Sequence, residues 1–61
     1  MVYPFRYTLG EHVSVIDGER ASRVGRITAL ELTAGKTVAT IEEDVTKTKW
    51  REHEANLRRT S

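Results

Sequence analysis

Turn-forming residues recur along this chain at short, regular intervals, at Asp17-Gly18, Gly25, Ala34-Gly35 and Glu43-Asp44. That is the spacing of a β protein, in which brief strands alternate with tight reversals. His12 to Ile16 is rich in Val and Ile and ends at Asp17-Gly18, where glycine accepts positive φ without a Cβ clash, so it reads as the first strand. Val24 to Leu32 follows as the second. Along it Val24, Thr28, Leu30 and Leu32 fall on one side and Ile27 and Ala29 on the other, so strict alternation fails midway and a bulge or strong bend is expected.

Thr37 to Glu42 reads as a third strand after the Thr33-Ala34-Gly35-Lys36 reversal. A polar turn at Glu43 to Val45 leads to a fourth strand, where Thr46, Thr48 and Trp50 share one face and Lys47 and Lys49 the other. Trp50 is expected to close one side of the core. The stretch after it holds too few apolar anchors for a long amphipathic helix, so one helical turn is placed at about Glu52 to Asn56, with Leu57 to Arg59 as a brief last strand. The expected fold is all-β: a small barrel of four to five short antiparallel strands with one helical turn near the C-terminus.

The chain has 61 residues and no cysteine, so no disulfide offsets a small core and no thiolate can serve as nucleophile or zinc ligand. A stabilising partner or a homo-oligomeric contact follows as an expectation. No apolar run is long enough to span a bilayer and the start lacks a signal-peptide pattern, so a soluble, cytoplasmic protein is expected, with no membrane partner. Ten Lys and Arg stand against nine Asp and Glu, so net charge does not by itself attract a polyanion. The placement is uneven. Arg20, Arg23 and Arg26 group around one loop, Lys47, Lys49 and Arg51 along one strand, and Glu42, Glu43 and Asp44 in one acidic bunch.

The segment "VSVIDGERASRVGRI" resembles the KOW motif, an apolar strand, a glycine, a basic loop and a second glycine leading into the next strand. Gly18 and Gly25 match its outer glycines, Val13, Val15 and Ile16 its first strand, and Ile27 the apolar position after the second glycine. Ser22 departs from the pattern, standing where the family often has a further glycine. The ending "W..H.ANLRR" is similar to that of many small bacterial and phage SH3-like domains. The resemblance implies an SH3-like barrel over residues 11–61 and contact with RNA, DNA or a nucleic-acid enzyme. The type II dihydrofolate reductases have similar protomers at Gly10 to Val15, Gly25 to Ile27 and Leu57-Arg58. Their pore strand Val-Gln-Ile-Tyr is replaced here by Thr48-Lys49-Trp50, so that activity is not carried over.

No catalytic constellation is legible. His12 and His53 are the only imidazoles, and Ser14, Ser22 and Ser61 show no spacing of nucleophile, base and orienting acid. His12 is read as a rim position and His53 as solvated, and His53 with Glu52 or Glu54 would need ligands from another protomer to hold a metal. The chain is therefore expected to be non-enzymatic, with no catalytic or metal site, no cofactor and no small-molecule substrate.

Residues 1–10 form an aromatic arm in which Tyr3, Phe5 and Tyr7 recur at every second position and share a face if extended, while Pro4 disfavours a central strand. The arm is read either as a cover over an open barrel end or as an interface. Two functions from different classes remain. One is a protein-interaction module, a regulator or inhibitor acting through Tyr3, Phe5, Arg6 and Tyr7 and a sheet edge. The other is a nucleic-acid module in which Arg20, Arg23, Arg26, Lys47 and Lys49 contact DNA or RNA. Near-neutral charge and the acidic bunch favour the first.

Overall fold

The structure is a computed structural model that describes residues 3–60, so Met1, Val2 and Ser61 lie outside it. Its elements run β1 (His12–Val15), β2 (Val24–Thr33), β3 (Lys36–Glu43), β4 (Lys49–His53), a 3-10 turn (Glu54–Asn56) and β5 (Leu57–Arg59). All pairings are antiparallel, in one five-stranded sheet of order β4-β3-β2-β1-β5. The all-β expectation with a lone helical turn near the C-terminus therefore holds. The turn is shorter than anticipated because β4 runs on through Arg51, Glu52 and His53, and Thr46 and Thr48 belong to the preceding turn.

β2 is the strand that joins the two parts of the sheet. Residues 24–26 pair with β1, whereas its whole length from Gly25 onward pairs with β3. A register shift between Ile27 and Ala29 supplies the expected bulge. The irregularity has a packing reason: it lets Ile27 and Leu30, three positions apart, both lie on the inner side, Ile27 opposite the buried Ile41 and Leu30 opposite the buried Ala39. Leu32, beyond the end of the core on the protruding β2–β3 hairpin, stays 58% exposed.

The core is built from Tyr7, Val13, Val15, Ile27, Ala39, Ile41, Trp50 and Leu57, with Leu30 packed against it. Every strand contributes, so no hairpin buries its apolar face alone. Trp50 is buried, as the sequence suggests, opposite Ile41. Ile16, matched above to the first strand, lies just past β1 and is exposed because Val13 and Val15 take the inward positions of the alternation, which leaves residue 16 on the outer side.

The two motif glycines have different physical roles. Gly18 has φ of 97°, a left-handed conformation suited to the reversal after β1. Gly25 is needed for space, since a Cβ there would lie 2.3 Å from the Glu42 carbonyl oxygen and 2.8 Å from Ile41 Cγ2. Ser22 has φ of 76°, so the backbone takes there the left-handed conformation that a glycine would adopt without strain.

Gly25→Ala drives a carbon into main-chain atoms that cannot swing aside. The variant is expected to lose more than about 3 kcal/mol, beyond ordinary overpacking. That is a large part of the roughly 3–9 kcal/mol that a chain of this size can have. Urea unfolding followed by Trp50 fluorescence measures it, and wild-type stability would contradict the close approach.

Candidate interaction surface

The N-terminal arm is held by a buried carboxylate. Glu54, in the 3-10 turn, is only 1% exposed. Its Oε1 and Oε2 each accept the Arg6 main-chain N–H at 3.0 Å, and Oε2 also accepts that of Tyr7 at 3.3 Å. A carboxylate taken out of water is costly unless donors surround it, and here those donors are backbone amides of the arm. No periodicity in the sequence marks this glutamate as buried, because its partners lie 47 and 48 residues away.

Tyr7 is a core residue. Its hydroxyl donates to the Leu57 carbonyl at 2.9 Å, and the Arg59 guanidinium lies 4.9 Å from its ring centroid. Tyr3 is 57% exposed, donates its hydroxyl to the Tyr7 carbonyl at 2.8 Å, and meets the half-buried Phe5 edge to face at 5.4 Å. The chain bends at Arg6 and Tyr7, so the three aromatics do not share one face. The Arg6 carbonyl accepts a bond from Arg59 Nη2 at 2.7 Å, so its backbone is fixed on both sides while its side chain is exposed.

The basic residues are dispersed into separate contacts. Arg23 pairs with Glu43 at 2.9 Å, Arg26 donates to the Gly10 carbonyl at 3.0 Å, and Arg20 lies over Trp50 at 5.3 Å from the ring centroid. Lys47 is exposed in the β3–β4 turn with φ of 62°, and Lys49 is exposed at the start of β4, opposite Glu42. The acidic bunch is likewise divided. Glu43 takes Arg23, while Asp44 meets His12 Nε2 at 2.5 Å, whose Nδ1 in turn contacts the Thr60 hydroxyl at 2.6 Å. His53 is exposed at the end of β4. Among the described residues no group of three or more His, Asp or Glu is placed to hold a metal ion, and no helix is long and apolar enough to cross a membrane.

β4 is left with an unpaired edge. It is the terminal strand of the sheet, and among the described residues no further backbone hydrogen bond reaches residues 49–53 from outside β3. Trp50 points inward, so Lys49, Arg51 and His53 alternate onto the outer face as a basic row, in which Arg51 pairs with Glu31 at 2.7 Å. A groove beside this row has Val38 at its floor and Lys36, Arg51 and His53 along its walls. The opposite terminal strand, β5, is only three residues long and meets the arm where the Tyr7 hydroxyl donates to the Leu57 carbonyl and Arg59 Nη2 to the Arg6 carbonyl. No family model and no curated protein sequence matches the chain.

Glu54→Gln keeps the shape but removes the charge and one acceptor, and the expected loss is about 2 kcal/mol. Faster hydrogen exchange at the Arg6 and Tyr7 amides, with the β1–β2 amides less affected, is the corresponding local sign. Equal exchange in both proteins would count against the clamp.

Glu11 makes a pH-dependent contribution to the fold. The Thr8 backbone N–H, and then Arg59, hold its carboxyl below the ordinary value of 4.5 against the opposing effect of desolvation. A depressed folded-state value means that the stabilisation is present above the unfolded value and is lost as pH falls through the folded one. The drop in urea midpoint between about pH 7 and about pH 3 is therefore expected to be smaller in Glu11→Gln than in the wild type. An identical drop would show that this carboxyl is not coupled to folding.

Proposed function

We propose that this chain is a small non-enzymatic interaction module, a regulator or inhibitor that binds a larger protein through the free edge of β4, with the exposed Tyr3 and Phe5 pair as a further contact. The observation that carries the reading is the unpaired edge of β4. An edge strand offers a row of main-chain donors and acceptors to any extended segment, and that row gives affinity while alternate side chains give specificity. The strand order, with a 3-10 turn between β4 and β5, and the Gly18 and Gly25 geometry support an SH3-like barrel of the KOW-resembling type.

Nucleic-acid binding is the second reading, favoured by the exposure of Lys47, Lys49 and Arg51 along one stretch. Phosphate contacts there would weaken steeply with salt through counterion release. Arg23 contributes less readily, being already paired with Glu43.

Affinity capture from nuclease-treated and untreated lysate separates the two. The protein reading expects the same protein species in both, and its loss from a Lys49→Ala/Arg51→Ala variant whose thermal unfolding is unchanged. Recovery only without nuclease assigns the surface to nucleic acid. Capture that is indifferent to the double substitution removes the β4 edge from consideration.

A further inference from the structure

Trp50 Nε1 is the buried side-chain donor that finds no acceptor among the described residues. The whole residue is 8% exposed, so this N–H has given up water without a replacement. Above the ring, 5.3 Å from its centroid, stands the Arg20 guanidinium from the β1–β2 loop. Arg23 and Arg51 have carboxylate partners, but Arg20 has none within ion-pair distance among the described residues. A cation over the ring face and an indole N–H in the same ring thus both lack an acceptor among the described residues.

Their position in the sheet indicates how one would arrive. Trp50 lies on the strand with the free edge, and its register with Ile41 and Ile27 places the indole on the inner face. A segment added to that edge puts the side chain opposite Trp50 on this same inner face, beside the indole and Arg20. The residues on either side of it project to the outer face, opposite Lys49 and Arg51. Arg20, Trp50 Nε1 and Lys49 favour a negative acceptor, and Arg51 would be shared between one and Glu31.

We infer that β4 takes an acidic, extended segment of a protein partner as a sixth strand, with one carboxylate received between Arg20 and Trp50 Nε1 and its acidic neighbours facing Lys49 and Arg51. The inference rests on the protein-interaction reading of the β4 edge and specifies the chemistry of the partner. A carboxylate suits the inner position because it can accept from the guanidinium and the indole together. Arg20 turns from the ring face toward the incoming oxygen atoms. A nucleic acid offers charge to the outer row but no main-chain ladder to the edge.

The test uses the whole protein and a synthetic peptide, Thr-Val-Glu-Glu-Glu-Val-Thr with blocked ends, beside the same peptide with Gln for each Glu. The Trp50 indole proton–nitrogen resonance is unique because the chain has one tryptophan. The expected result is a saturable downfield shift of that resonance with the Glu peptide. Binding should be weaker by about tenfold for Arg20→Gln, which corresponds to one lost charge-assisted hydrogen bond, and by more than that for the Gln peptide, which gives up three carboxylates. The main-chain spectrum of Arg20→Gln serves as the check that it remains folded. No indole shift at millimolar peptide, equal affinity for the two peptides, or an indole shift produced only by an oligonucleotide would each overturn the inference. If the peptide fails while capture from lysate still depends on Lys49 and Arg51, the edge remains an interaction site and only the acidic-strand assignment falls.

Discussion

The Glu54 carboxylate is the contact through which the two ends of the molecule depend on each other. It is buried in the turn before β5 and satisfied by amides of the arm, so neither piece is complete alone. Without the arm the carboxylate would lose the amide donors that offset its removal from water. Without the carboxylate, the Arg6 and Tyr7 amides would lose their acceptor, and the Tyr7 ring and hydroxyl would be less firmly seated against Leu57. The arm therefore supplies a core residue and a hydroxyl donor to the Leu57 carbonyl of β5.

Charge has been used in this chain chiefly to hold loops to strands. Arg23 with Glu43 ties the β1–β2 loop to the end of β3, His12 links Asp44 to Thr60, and Arg59 joins Glu11 to the arm. Such exposed pairs are individually weak, and their consequence lies in what they remove from the surface. The loop arginines that look like a phosphate-binding group in sequence are directed to three separate partners, a carboxylate, a carbonyl and an aromatic ring. The basic row on β4 stands apart, because it borders an edge with main-chain groups still to be satisfied.

Much of the fold was legible from short-range rules. The bulge in β2 showed itself as a break in alternation between Ile27 and Leu30, and the last strand as an apolar residue after a polar turn. The need for glycine at position 25 was visible as a motif, although its cause, the Glu42 carbonyl on the neighbouring strand, was not. The start of β4 was placed early in the sequence reading because Thr46, Thr48 and Trp50 alternate. In the fold, Thr46 and Thr48 hydrogen-bond to each other within the turn. The arm's period of two suggested a shared aromatic face, but a bend at Arg6 and Tyr7 sent one ring into the core and left another in solvent.

The sequence by itself determined the β character, the positions of the reversals and the irregular second strand, because these follow from backbone sterics and side-chain alternation over a few residues. Tertiary structure alone decided that Glu54 is interior, that Tyr7 belongs to the core, that Arg20 rests on Trp50 and that β4 keeps an open edge. Each of these depends on which distant group a polar atom meets once the strands have assembled, and a local pattern carries no record of a partner some 48 residues away.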